Sequence, residues 1–225
     1  METSTRSLLF VLASACCLAG TVGAQTPARL LNIQFYTTAS APKNGPAAIG
    51  NEGDAWNRYS RDDGSGGFRT AGDLADLQWA DGTASPVDLT ITNAAGAWPS
   101  GIPDPLMATY LYPLPNGNGN IRFSLTQVPA GRYDLYLYGR GNADNLVGDF
   151  NVEAQYRDQG TRAVTVGPGW QATPLQESVH YVVFRGVPAD GLSPITVTVR
   201  PSPHGEAVLN GLQLFQTDAT PPPVP

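Results

Sequence analysis

The sequence predicts an all-β domain of two packed antiparallel sheets, a sandwich with long loops and at most one or two short helices. Three observations carry that expectation. Apolar residues recur at every second position in run after run, the period of a strand with one face buried. Glycine and proline are abundant, at 25 and 20 residues, while charged residues make up only 14% of the chain. That mixture supplies turns and few exposed helices. No repeated strand–helix alternation occurs, which disfavours a doubly wound parallel sheet.

The first 24 residues read as a signal peptide. Arg6 is followed by the apolar run Leu8 to Leu18 and then by Val22-Gly23-Ala24, with small residues where a signal peptidase acts. Ala13-Ser14-Ala15-Cys16 faintly resembles a lipobox, so lipidation stands as the alternative. Both cysteines, Cys16 and Cys17, fall inside this leader. The mature chain, of roughly 200 residues, is then expected to hold together without disulfides, which requires a large core. The apolar stretch is too short for a stable transmembrane anchor. The expected location is secreted or extracellular, with the periplasm or the cell surface as alternatives.

Each element of the expected domain, 25–216, has its own signal. Leu31, Ile33 and Phe35 alternate with Asn32 and Gln34, giving a first strand with one wet face. The segment from Lys43 to Gly82 is rich in Gly, Asp and Asn, and Trp56, Tyr59, Phe68 and Trp79 interrupt it. It reads as long loops laid over the sheet. Val87, Leu89 and Ile91 form a second alternating run, and a short helix is expected around Asp104 to Tyr110. Ile121, Phe123 and Leu125 follow, then Phe150, Val152 and Ala154, then Ile195, Val197 and Val199, then a last run from Ala207 to Phe215. Tyr133–Tyr138 and Tyr181–Phe184 are apolar on both faces and are expected at central positions, between a core and a covering loop or ligand. Pro129-Ala130-Gly131, Asp158-Gln159-Gly160 and Pro188 to Gly191 read as turns joining antiparallel hairpins. Residues 217–225, with three consecutive prolines, read as a Pro-rich linker or tail.

Charge excludes some partners. The chain carries a net −6 with no basic cluster, which argues against a nucleic-acid groove and against binding to anionic lipid. Membrane insertion of the mature chain is not expected. No G-x-S-x-G occurs, and His180, expected inside a strand, and His204, in a Pro–Gly turn, give no triad or zinc pattern. A glycosidase needs only two carboxylates, which many loops here contain, so hydrolysis of a polysaccharide stays open as a lesser alternative. No cofactor is expected. A structural calcium ion is the alternative, because Glu52 and Asp54, Asp62 and Asp63, and Asp144 to Asp149 offer hard oxygen ligands, although none follows an EF-hand spacing.

Aromatic residues outside the strand pattern are the best functional signal, because a sugar ring presents a flat patch of C–H groups that stacks on indole or phenol. Trp56, Tyr59, Trp79, Trp98 and Trp170 each have Gly, Pro, Asn or Asp close by in sequence. Trp98, before Pro99, and Trp170, after Pro168-Gly169, are expected to be the most exposed. The competing reading is structural, since tryptophans commonly plug the ends of sandwich cores. The polar loop Gly139 to Asn145 brings together Arg140, Asn142 and Asp144, groups suited to bidentate hydrogen bonds with adjacent sugar hydroxyls; Asn57 is a similar candidate. An ordinary solvated turn would have the same composition.

Three segments taken together carry a family resemblance: GPAAIGNEGDAWN at 45–57, VPAGRYDLYLYG at 128–139 and AVLNGLQLF at 207–215. They resemble exported bacterial β-sandwich domains of the galactose-binding-like, or carbohydrate-binding-module-like, type. The resemblance covers roughly Leu30 to Gln216 and implies a jelly-roll sandwich that binds sugar. The expected function is that of a secreted noncatalytic module. It would bind a polysaccharide or other glycan through Trp56, Asn57, Tyr59, Trp98, Arg140, Asn142, Asp144 and Trp170. A structural or adhesive module that binds protein partners is the alternative.

Overall fold

The computed structural model describes residues 29–37, 41–60, 71–113, 119–164, 174–201 and 206–218. Among these residues thirteen strands account for the regular structure, and none is helical. The five-stranded sheet has the order β11 (Tyr181–Ala189), β8 (Gly131–Tyr138), β13 (Gly211–Asp218), β1 (Leu30–Tyr36), β2 (Asn57–Ser60). The six-stranded sheet has the order β10 (Arg157–Ala163), β9 (Asp149–Ala154), β12 (Ile195–Arg200), β7 (Ile121–Thr126), β4 (Asp88–Thr92), β3 (Gly72–Leu74). A separate hairpin pairs β5 (Ala94–Pro99) with β6 (Thr109–Pro113). Pairing is antiparallel except between β1 and β2, which run parallel.

The expected sandwich is present, and its core is built from the alternating residues. Leu31, Ile33 and Phe35, Tyr133, Leu135 and Leu137, and Leu212 and Leu214 face inward from one sheet. Ile91, Phe123, Val152 and Val197 meet them from the other, all at most 1% exposed. Phe35 and Phe123 touch across the two layers at 6.1 Å between ring centroids. From β7 onward the chain passes between sheets as a jelly-roll sandwich does: β7, the β9–β10 hairpin and β12 lie in one sheet, and β8, β11 and β13 in the other. Pro129-Ala130-Gly131 and Pro188 to Gly191 are therefore crossings between layers, not hairpin turns.

Three further expectations are corrected. Asp158-Gln159-Gly160 does not join strands but lies inside β10, where the pairing shifts between Asp158 and Thr161. Asp158 Oδ1 accepts from Gly160 N at 2.8 Å and from Asn151 Nδ2 at 2.8 Å, which holds that bulge. The turn itself is Gln155-Tyr156, at φ 51° and 58°. The helix expected at Asp104–Tyr110 is a single turn: Asp104 Oδ1 accepts from Leu106 N at 2.8 Å, but Thr109 onward is already committed to β6. Tertiary pairing overrides the helix signal. Tyr181–Phe184 lies on β11, which stands at the end of its sheet among the described residues, not at its centre.

Part of the outer face of the five-stranded sheet is covered, and this too differs from expectation. Asn32, Gln34 and Gln213 are fully buried beneath the segment 41–56. Asn32 Nδ2 donates to Ala55 O at 2.9 Å, Gln34 Nε2 to Ala41 O at 3.2 Å, and Gln213 Nε2 to Ile49 O at 3.1 Å. Backbone groups of a loop that pairs with no strand are thus satisfied by strand side chains, as burial requires. A second apolar cluster of Trp56, Ile102, Leu106, Met107 and Tyr138 fills the same layer, with Tyr136 and Tyr181 packed against it. This layer explains why both Tyr133–Tyr138 and the edge strand β11 are apolar on both faces.

Candidate functional site

Opposite residues in an antiparallel pair share a face, and the β5–β6 hairpin uses this to gather aromatics. Trp98 pairs with Tyr110, and Gly96 with Tyr112, so Trp98, Tyr110 and Tyr112 project on one side. The other side carries Ala97 and Leu111 into the main core. A two-stranded hairpin is marginal alone; this one is fastened to the sandwich. Leu111 and Leu209 exchange backbone hydrogen bonds at 2.8 and 3.1 Å, and Thr109 Oγ1 donates to Phe35 O at 2.9 Å. Gly96 has a specific duty: a Cβ there would run into the Tyr112 ring, so its absence lets that ring cover the strand.

Trp98 is 58% exposed, while Tyr110 is almost buried. A groove of about 580 Å³ lies beside them. Trp98, Tyr110, Tyr112 and Pro113 line one side; Ala143, Asn145 and Leu146 of the 140s loop line the other, with Gly119, Pro201, Glu206 and Ala207 completing it. Burial raises the Tyr110 hydroxyl pKa, helped by the Glu206 carboxylate and then by Tyr112. The loop is fixed from beneath. Arg140 N donates to Asn210 Oδ1 at 2.7 Å, Asn210 Nδ2 donates to Thr109 O at 2.9 Å, and Gly141 N donates to Leu146 O at 2.8 Å. Asn210 thereby ties the two sides of the groove to the start of β13.

The residues singled out in the sequence fall into three groups. Trp98 lines the groove, and the polar loop lines it through Ala143, Asn145 and Leu146; Asn142 and Asp144 are exposed on that same loop but do not line it. Trp56, Asn57, Tyr59 and Arg140 are structural as placed. Trp56 is 8% exposed and donates Nε1 to Gly45 O at 2.9 Å. Tyr59 packs edge-on against Phe35 in the main core. Asn57 spends its amide on Asn32 O, Gln78 O and Gln78 N, at 3.0, 2.7 and 2.8 Å. Arg140 is 1% exposed, and burial lowers its pKa against the opposing pull of Asp144. Trp170 lies outside the described residues, as do Asp62, Asp63 and His204.

Sequence reasoning missed Tyr110, Tyr112 and Glu206, and it named Asn145 only as the end of the polar loop. The hairpin signal was there, since Ala94–Pro99 and Thr109–Pro113 both carry aromatic and apolar residues, but the intervening Asp104-Pro105-Leu106-Met107 favoured a helix. His180 sits in the turn before β11, not in a strand, and its Nδ1 accepts from Gln176 N at 3.0 Å. Among the described residues no group of three or more His, Cys, Asp or Glu side chains is placed to hold a metal ion.

A second cleft, of about 510 Å³, opens on the outer face of the five-stranded sheet, between Ile49–Asp54 and Trp79–Thr83. Its indole, Trp79, is 3% exposed and lies under the Arg29 guanidinium, 5.2 Å from the ring centroid. Its carboxylates are occupied by local structure: Asp54 accepts from Asn51 N at 2.8 Å, Asp81 from Thr83 Oγ1 at 2.6 Å, and Asp134 from Gly186 N at 2.9 Å. The groove at Trp98 is therefore the better site, since it offers an open aromatic face.

Neither a family model nor a curated protein matches the chain. A solved structure of TmCBM61 in complex with β-1,4-galactotriose is similar over 59% of this chain and 85% of that chain, at 17% identity and a TM-score of 0.28.

Proposed function

We propose that this domain is a noncatalytic carbohydrate-binding module whose site is the groove between the β5–β6 hairpin and the 140s loop. The observation that carries this reading is Trp98, an indole held 58% exposed by strand pairing beside Tyr110 and Tyr112. Flat apolar faces next to a few directed polar groups suit a sugar ring, with its C–H patch and its rim of hydroxyls. Asn145 offers an amide as both donor and acceptor, and Glu206 a carboxylate acceptor. A noncatalytic role fits a groove in which Glu206 is the one carboxylate among the described lining residues, because glycoside hydrolysis uses two. The leader read at residues 1–24 fits export to where such polymers are met.

Titration against soluble β-galactan, β-mannan, xylan and mixed-linkage β-glucan tests the proposal. At least one should bind, and Trp98→Ala should weaken that binding roughly tenfold or more while changing folding stability by under about 0.5 kcal/mol, as for an exposed side chain. Binding that survives Trp98→Ala unchanged would move the site elsewhere.

The alternative of a module for protein partners has its own observation. Tyr156 and Leu192 are 88% and 90% exposed. They project from the same end of neighbouring strands, since Ala154 pairs with Ile195. That end is opposite the groove, so the two readings do not compete for one surface.

A further inference from the structure

The groove's charge selects among glycans, an inference that rests on the proposal that the groove binds them at all. Glu206 is the one charged side chain among its described lining residues; the rest are aromatic, aliphatic, glycine, proline or the neutral amide of Asn145. Glu206 is exposed, and the backbone beside it is held where the next residue, Ala207, bridges to Val147. It acts on the aromatic wall, adding to the rise in the Tyr110 pKa. Asp144, exposed on the facing loop, has the same sign.

Two described cations close to the groove in sequence are engaged elsewhere. Arg140 is 1% exposed behind the loop, and Arg200, next to Pro201, interacts with Asp149 and Asp158. We infer that the groove takes uncharged polysaccharide chains and rejects those that carry carboxylate groups. A uronate seated against Trp98 and Tyr112 would bring its charge toward Glu206, with no guanidinium or ammonium among the described lining residues to meet it. Repulsion between partly exposed charges within a Debye length, about 8–10 Å at ordinary salt, is enough to change affinity severalfold.

The test uses a matched pair of probes at pH 8: the tightest binder among β-galactan, β-mannan and mixed-linkage β-glucan, and the same polymer oxidised at C6 to its polyuronate form. The wild type should bind the oxidised polymer at least roughly fivefold more weakly. Glu206→Gln should narrow that gap, read as the ratio of the two affinities within the variant, and added NaCl should narrow it in the wild type. Equal binding of the two polymers by the wild type would overturn the inference, as would a gap that Glu206→Gln leaves untouched, since lost C6 hydroxyl contacts would then explain it. If none of the neutral polymers binds, the glycan-binding proposal fails first and takes this inference with it.

Discussion

Trp98 owes its exposure to its neighbours on the hairpin. Ala97 and Leu111 bury the inward face, so the residues that alternate with them have no core to enter. Tyr112 lies back over Gly96, and the pair together make a broader aromatic surface than Trp98 alone. Gly96→Val should force the Tyr112 ring off the strand and weaken glycan binding about tenfold. Stability should change by less than about 1 kcal/mol, because valine favours a strand as much as it crowds this one. Calorimetric titration with a parallel thermal melt checks both halves. At this scale the sequence was a partial guide. Pro99 rightly marked Trp98 as exposed. Trp56, Asn57, Tyr59 and Arg140 looked equally promising, since a buried indole with its N–H satisfied and an exposed one have the same neighbours in sequence.

Among the elements, the strands were legible wherever a single apolar face met the core, as in Ile121–Thr126 and Ile195–Arg200. The segment Leu30–Tyr36 shows where that reading stops. Asn32 and Gln34 alternate with apolar residues as solvent-facing residues would, yet both are sealed beneath the 41–56 loop. The available hint was chemical: these rungs, with Gln213, are amides and not charges, and an amide can be buried if it donates and accepts in place. Pairing across layers was not legible, because no local signal says that Asn210 bonds to residues far away in sequence. Its amide spans Thr109 O and the Arg140 N–H, linking β6 to the loop after β8. Asn210→Ala strands both groups in a buried setting, so it should cost about 2–4 kcal/mol of folding stability. It should also loosen the groove, giving weaker glycan binding even well below the melting temperature. Urea denaturation and titration of the same variant separate the two effects. A stability loss under about 0.5 kcal/mol would show that Asn210 is no anchor.

For the molecule as a whole, the register fixes an axis. Leu30 pairs with Phe215 and Arg132 with Asp218 at one end, whereas Gly211 pairs with Tyr138 at the other, from which the 140s loop leads to the groove. Arg29 and Asp218, the outermost described residues, therefore lie away from the groove. β13 runs on to Asp218, into the stretch that the sequence reads as tail. Tyrosine-rich packing along this axis sets the alkaline limit of the fold. Burial holds Tyr133 up to about 12, from an ordinary 10.0, against a small opposing effect of Arg29, and its hydroxyl donates to Pro129 O at 2.8 Å. Burial also raises Tyr138, Tyr136, Tyr181 and Tyr110. Between the two values the unfolded chain loses a proton that the folded chain keeps, so stability is intact below about pH 10 and falls as pH rises from there. Tyr133 contributes to that loss across the window. Denaturation midpoints at pH 8, 10 and 11 should fall in that order, with a shallower fall in Tyr133→Phe; a flat series would contradict these buried hydroxyls.

The most direct test of the glycan groove is the indole N–H region of a ¹⁵N–¹H spectrum, in which the chain's four tryptophans are read separately during titration with a bound oligosaccharide. The Trp98 signal should shift, and those of Trp56 and Trp79, sealed in the two layers, should stay in place. A saturating ligand that leaves Trp98 unmoved while shifting Trp79 would place binding in the cleft by Arg29 and contradict the account.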